Sequence, residues 1–142
     1  AGGHLAAMLM CCQWPQVAPD LPAQLVKRAL SISGLFDLEP LRHAGFVAPD
    51  LRLTKASALE SRPAWMPAPR GRLVAVVGAD ETDEFRRQNR LIAQRWGDDV
   101  VPVCEDVPGR HHLDVLDDLV NPSLRLHRLA LELLDLQPSM SP

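Results

Sequence analysis

Apolar residues along this chain fall into runs of two periodicities, and the alternation between them sketches a fold. RLVAVVG, residues 72 to 78, is a near-continuous apolar run closed by glycine. Such a run fits a strand covered on both faces of a parallel sheet. LVKRALSIS, residues 25 to 33, turns apolar and β-branched before Gly34, and predicts a second strand over Val26 to Ser33. DVVPVCE, residues 99 to 105, predicts a third, with Pro102 assigning it to an edge or a bulge.

Helical spacing fills the gaps. Leu5, Met8, Leu9 and Cys12 stand at i, i+3, i+4 and i+7, the spacing of one buried helix face. That helix should run from Leu5 to about Gln13 and stop before Pro15. A longer helix is predicted from Thr82 to Trp96, with Phe85, Ile92 and Trp96 on one face and Gly97 at its end. A short helix should follow on Leu113, Leu116 and Val120. Asn121-Pro122 should cap a last one, with Leu124, Leu131 and Leu134 as its stripe to about Leu136. WPQVAPDLPA, residues 14 to 23, reads as a surface connection. Residues 37 to 70, with prolines at 40, 49, 63, 67 and 69, read as irregular with room for two short helices. A stretch this long without regular structure is unusual in a domain and often functional.

Helix and strand alternating in this way predict a parallel α/β sheet with helices on its faces. Functional residues in such sheets sit beyond the carboxyl ends of the strands. Residues 33 to 37, 78 to 84 and 106 to 112 are therefore the places to inspect.

Bulk properties narrow the classes. The 142 residues suit one domain. A net charge of -3 with both signs interspersed lacks the basic stripe of a nucleic-acid footprint. The longest apolar run, Leu5 to Cys12, is far short of the roughly 20 residues that span a bilayer. With no signal peptide or polybasic anchor in view, the expectation is a soluble cytoplasmic protein without nucleic-acid or membrane partners. Cys11, Cys12 and Cys104 form no disulfide framework and read as small buried hydrophobes.

Candidate chemistry sits at the strand tips. GADETDEF places Asp80, Glu81, Asp83 and Glu84 between a strand end and a helix start. Acids there also complement a helix dipole, so each has a plain capping role to set beside a catalytic one. PGRHHLD places His111 and His112 on a loop entering a helix, which is not a helical metal-ligand spacing; no metal or cofactor is expected. His4 is a third histidine that caps or packs. An acid after one strand and a histidine after the next is the order of the last two members of a Ser, Asp/Glu, His triad. The chain opens on Ala1-Gly2-Gly3-His4 with no initiator methionine. A serine ahead of Ala1 would complete the second half of a G-x-S-x-G elbow, with Gly2 as its last glycine.

AGGHLAAML, SISGLFDLEPL at 31 to 41, VVGADETDEFRRQNRL at 76 to 91 and VPGRHHLDVLDDL at 107 to 119 together resemble the esterase/lipase-like α/β-hydrolases, most closely the arylformamidase (kynurenine formamidase) branch. They occur in that family's order and span nearly the whole chain. The resemblance implies the C-terminal half of an α/β-hydrolase fold: three parallel strands with flanking helices, the half with the nucleophile strand missing. Residues 1–142 would be a single partial domain, with 37–70 as a pocket-forming or cap-like segment. The catalytic histidine carries over to His112, which Leu113 and Asp114 follow. The acid carries over to Glu81, four residues before Phe85, with Asp80 as its competitor. The backbone N–H of Ala1 would serve the oxyanion hole.

Two departures stand out. The nucleophilic serine and the upstream H-G-G-type segment are not in these residues. The implied activity is hydrolysis of small carboxylic esters or aryl formamides through an acyl-enzyme, with this chain inactive by itself. Leu35, Phe36, Phe46, Trp65 and Met66 are candidate pocket lining, or plain core. The strand at 26 to 33 would lose its usual neighbour, and its open edge invites a homodimer or aggregation. Two non-catalytic readings compete. One is a flavodoxin-like module holding a nucleotide at Gly2-Gly3. The other is an interaction module derived from a degenerate hydrolase.

Overall fold

The computed structural model describes residues 1–135. Three strands, β1 (Arg28–Ile32), β2 (Arg72–Gly78) and β3 (Val103–Val107), form one parallel sheet in the order β1-β2-β3. Strand β2 is buried from Leu73 to Gly78, as its unbroken apolar run demands. Its side chains alternate between two cores with the period of two that a strand imposes. Leu73 and Ala75 join Ala29, Phe36, Ile92 and Trp96 on one face. Val74 and Val76 meet Val115, Leu126, Leu129 and Leu133 on the other.

Helix α1 (Gly2–Cys11) packs on β1. Its buried residues are Gly3, Ala7 and Met10, not the expected Leu5, Met8, Leu9 and Cys12; Leu5 is 59% exposed. The cause is close approach: a Cβ on Gly3 would strike Ser31 Oγ and the Gly34 backbone. Small residues therefore take the sheet side and larger ones turn outward. Pro15 starts rather than blocks a short helix, α2 (Trp14–Val17), because a proline in the first turn forfeits no helical bond.

Segment 37–70 is more ordered than its prolines suggest. It folds as two 3₁₀ turns, Glu39–His43 and Pro63–Trp65, around helices α3 (Ala48–Leu51) and α4 (Lys55–Glu60). Helix α4 opens on a reciprocal cap between Thr54 and Ser57. Helix α5 (Asp83–Trp96) matches its expected span, with Thr82 at the N-cap and Gly97 at φ 76 after its end.

The last third departs most. Strand β3 begins after Pro102, which has no N–H for the ladder. The predicted helix on Leu113, Leu116 and Val120 is a 3₁₀ turn, Val115–Val120, that buries Val115 and Asp118 instead. A repeat of three residues per turn sets 115 and 118 on one face, and Arg110 Nε donates to Asp118 at 2.7 Å. Asn121 closes a local turn, its side-chain oxygen accepting from Ser123 N–H at 3.0 Å; it ends the 3₁₀ turn rather than opening the last helix, whose N-cap is Leu124. Helix α6 (Arg125–Leu133) starts later and buries Leu126, Leu129 and Leu133 rather than Leu124, Leu131 and Leu134. Leu136 lies outside the described residues. Cys11 and Cys12 are partly buried and Cys104 is exposed, so the buried-hydrophobe reading fails for Cys104. Among the described residues, no helix is long and apolar enough to cross a membrane.

Candidate active site

Strand β2 ends on Gly78, where a Cβ would strike the carbonyl of Arg110. The glycine lets two loops touch. Asp80 N–H donates to that carbonyl at 2.9 Å, and Ala79 N–H donates to Val107 O at 2.9 Å. The β2 tip and the loop after β3 are thereby fastened side by side.

On this frame the side chain of Glu81 is fully enclosed. One carboxylate oxygen, Oε1, accepts from Gly78 N–H at 2.9 Å and from the Ser33 hydroxyl. The other, Oε2, lies 2.8 Å from His112 Nδ1. The imidazole is half exposed. Phe85, one turn into α5, stacks on it with centroids 4.6 Å apart and ring planes at 29°. His112 thus has a carboxylate at one nitrogen, an aromatic face against its ring and its remaining edge toward solvent.

Each sequence candidate has a definite place. Asp80 is exposed and only its backbone is engaged. His111 is turned into its own loop: its N–H takes Asp114 Oδ1 at 2.7 Å, and its Nδ1 accepts from Leu113 N–H at 3.1 Å. Asp83 and Glu84 occupy the first turn of α5 and pair with Arg86 and Arg87. The Arg87 hydrogen bond holds the Glu84 carboxyl below its ordinary pKa, against opposing partial burial. His4 Nε2 contacts Ser61 O at 2.9 Å. Among the described residues, no group of three or more His, Cys, Asp and Glu could hold a metal ion.

Ala1 comes to the same place. A cavity of about 320 Å³ is lined by Ala1, Gly2, Gly3, Ile32, Ser33 and His112, among others. A second, of about 580 Å³, shares Ala1, Gly2 and His112 and extends under the 38–53 segment. Of the expected lining residues, Leu35 and Phe46 face this second cavity. Phe36 is fully buried in the core, a strand-tip aromatic that the sheet covers. Trp65 is flanked by the guanidiniums of Arg62 and Arg95, at 4.7 and 4.6 Å. Met66 lines a different cavity beside Met10 and Cys11.

Two residues of the site carry no functional signal in the sequence. Ser33 sits within the strand-tip window singled out after β1, but nothing in its neighbours announces φ 53, a left-handed conformation that non-glycine residues seldom adopt. With its N–H held by Val76 O at 2.8 Å, that backbone aims its hydroxyl at Glu81. The helical spacing puts Phe85 on a core stripe; its contact with His112 depends on the loop after β3.

No family model matches the chain. A kynurenine formamidase from Salmo salar is 30% identical over 94% of the chain, and one from Danio rerio is 27% identical over 94%. The chain spans about half the length of these curated relatives, 47% in each case. The crystal structure of a presumed thioesterase from Silicibacter sp. TM1040 superimposes with a TM-score of 0.73 at 25% identity, covering 89% of this chain and 45% of that one. In sequence the chain is similar to kynurenine formamidases, and in fold it is an α/β chain, three parallel strands between helices, similar to a hydrolase-like structure.

Proposed function

We propose that this chain supplies the acid and the base of a serine-dependent hydrolase of small carboxylic esters or aryl formamides, with the nucleophile coming from sequence ahead of Ala1. The observation that carries the reading is the 2.8 Å contact between Glu81 Oε2 and His112 Nδ1, beside a cavity that the start of α1 also lines. The formamidase relatives and the thioesterase neighbour support acyl transfer as the reaction class. In this reading residues 1–142 are one partial domain, inactive without the rest.

A carboxylate can only accept, so Nδ1 carries the hydrogen and Nε2 is left as the base. In the proposed reaction Nε2 takes the serine proton as the serine oxygen attacks the ester or formamide carbonyl. The tetrahedral oxyanion receives a hydrogen bond from Ala1 N–H. Collapse expels the alcohol or arylamine, which leaves with the proton from the imidazolium. Water, deprotonated by the same nitrogen, then frees the acid and regenerates the serine. Glu81 stays ionised throughout and holds the imidazolium in place.

The test is hydrolysis of p-nitrophenyl acetate and formanilide by the reading frame extended upstream of Ala1. Activity lost in His112→Ala and kept in His111→Ala supports the assignment. Activity kept in His112→Ala overturns it.

A further inference from the structure

Helix α5 carries four arginines, at 86, 87, 90 and 95, and three of them face carboxylates. Arg86 pairs with Asp83, Arg87 with Glu84 and Arg90 with Asp106. Arg95 has no carboxylate partner among the described residues; its guanidinium lies over Trp65, 4.6 Å from the ring centroid. The guanidinium of Arg62 lies 4.7 Å from the same centroid. Arg62 also lacks an acid among the described residues, and its Nε donates to Leu59 O at 3.3 Å. Trp65 brings a spare donor. The indole N–H of Trp14 is taken by Leu9 O and that of Trp96 by Pro63 O, whereas the indole N–H of Trp65 has no acceptor among the described residues. Trp65 is 42% exposed. Three donor-bearing side chains thus meet at the surface with no acceptor side chain among them.

The backbone beneath them is fixed. Buried Trp96 donates to Pro63 O at 3.0 Å, Ala64 N–H donates to Phe36 O at 3.2 Å, and Trp65 N–H donates to Arg62 O at 3.0 Å. Stacking engages the flat face of a guanidinium and leaves the N–H groups at its edge for a planar anion. Two like charges against one ring repel, and an anion shared between them relieves that repulsion. Both long side chains are already ordered, so binding would cost less of their rotamer freedom. A carboxylate only accepts hydrogen bonds, which matches a donor-only site. Trp and Arg are also the residues on which protein–protein binding energy concentrates. The patch is small. Glu60, Asp98 and Asp99 are exposed within four residues of the two arginines, and the chain carries a net charge of -3. A long polyanion would therefore meet repulsion beyond the two arginines. Arg95 stands ten residues past Phe85 on α5, about 15 Å along the axis, which separates this surface from the imidazole site.

We propose that Arg62, Trp65 and Arg95 form a docking surface for a short acidic segment of another protein, whose carboxylates bridge the two guanidiniums and the indole N–H. The surface is independent of the hydrolase reading. The full chain would be titrated at low salt with the blocked peptide acetyl-Asp-Glu-Leu-Asp-Glu-amide, with its counterpart carrying Asn and Gln for the acids, and with a short oligouridylate. Nitrogen-proton spectra would follow the indole and arginine Nε–H signals. The acidic peptide should bind about tenfold more tightly than its amide counterpart, by an amount that shrinks as salt is raised. Saturable shifts should fall on the Trp65 indole and on Arg62 and Arg95, and spare the Trp96 indole held by Pro63 O. Arg95→Gln should weaken the acidic peptide by about fivefold, and Arg95→Lys should recover only part of the loss, since an ammonium lacks the planar fork. Equal binding of the two peptides, no binding of the acidic one, or shifts confined to other arginines would overturn the proposal. The unsubstituted chain decides this even if Arg95→Gln does not fold. Tighter binding of oligouridylate than of the acidic peptide would also overturn it, and would reassign the patch to nucleic acid.

Discussion

The ring of Phe85 lies against the imidazole of His112, 4.6 Å between centroids, and Phe85 stands four residues after the acid that the same imidazole faces. One helix start therefore fixes both the carboxylate and the surface on which the imidazole rests. A stacked aromatic pair contributes about 0.5–1.5 kcal/mol beyond its buried area. Phe85→Ala should lower kcat in the extended protein by roughly tenfold at most. Phe85→Trp should restore most of it. Steady-state kinetics of the two variants check this; an unchanged kcat in Phe85→Ala would mean the ring only fills space.

Glu81 is replaced with two different consequences. Glu81→Gln keeps the volume and an oxygen for Gly78 N–H and the Ser33 hydroxyl, so stability should change little. It also turns an amide donor toward His112, which must then present Nδ1 as acceptor and carry its hydrogen on Nε2. A base so protonated cannot take the serine proton, and the loss should be about 10⁴-fold, as when the orienting acid of a serine protease is amidated. Glu81→Ala strands two enclosed donors, at about 1–3 kcal/mol each, and should lower the melting temperature by several degrees. Calorimetry beside esterase assays separates the two effects.

How far the chain could be read in advance depended on what each residue answers to. Strand β2 and helix α5 were legible because Leu73 to Val77 and Thr82 to Gly97 answer to local rules: continuous burial for the one, cap and periodicity for the other. Glu81 and His112 were legible as strand-tip residues in a recognisable order. Ser33 was not, because its φ of 53 is imposed by Val76 and Glu81, both more than forty residues away. The faces of α1 and α6 were misread because periodicity fixes which residues share a side, and packing fixes which side is inward. On α1 the tight approach to Ser31 favours Gly3 and Ala7 over leucine. Within 37–70 the two short helices were foreseen without their bounds, and the two 3₁₀ turns were not, because a 3₁₀ turn is too short to establish a period.

Gln88 bolts that segment to α5. Its side chain is buried, its Oε1 accepts from Phe36 N–H and Asp37 N–H at 2.8 Å each, and its Nε2 donates to Asp37 O at 2.8 Å. Gln88→Leu would keep the apolar bulk and orphan two backbone donors, at about 1–3 kcal/mol each. The urea midpoint should fall, and amide exchange at Phe36 and Asp37 should accelerate more than at Val76. Uniform acceleration would assign Gln88 a general role in the core instead.

Strand β1 has β2 on one side and, among the described residues, no strand on the other. Open strand edges recruit further strands. Purified alone, the chain should associate with rising concentration, seen as a shift in sedimentation velocity. Leu30→Lys, on that strand and partly buried, should return it toward the monomer. A concentration-independent monomer with a sharp melt would show that the edge is protected in another way.

Alkaline pH should unfold the chain in a manner traceable to Cys11. Burial pushes this thiol up from 9.0 to about 11. Between those values the unfolded chain gives up a proton that the folded chain keeps. Stability fully present below pH 9 should therefore fall as pH rises toward 11. Although the Cys104 residue is exposed overall, its sulfur packs against Asn89; its thiol is also raised, first by this partial desolvation and next by Asp106, and adds a slope of the same sign. Urea midpoints at pH 8 and pH 10.5 should differ less in Cys11→Ala than in the parent, with the remainder due in part to Cys104. Because the thiolate is the reactive form, iodoacetamide should label folded Cys11 slowly at pH 8 and progressively faster toward pH 11, whereas in urea the rise should be centred near pH 9. Coincident labelling profiles for the folded and unfolded chain would mean that the sulfur is as well solvated in the native state as outside it.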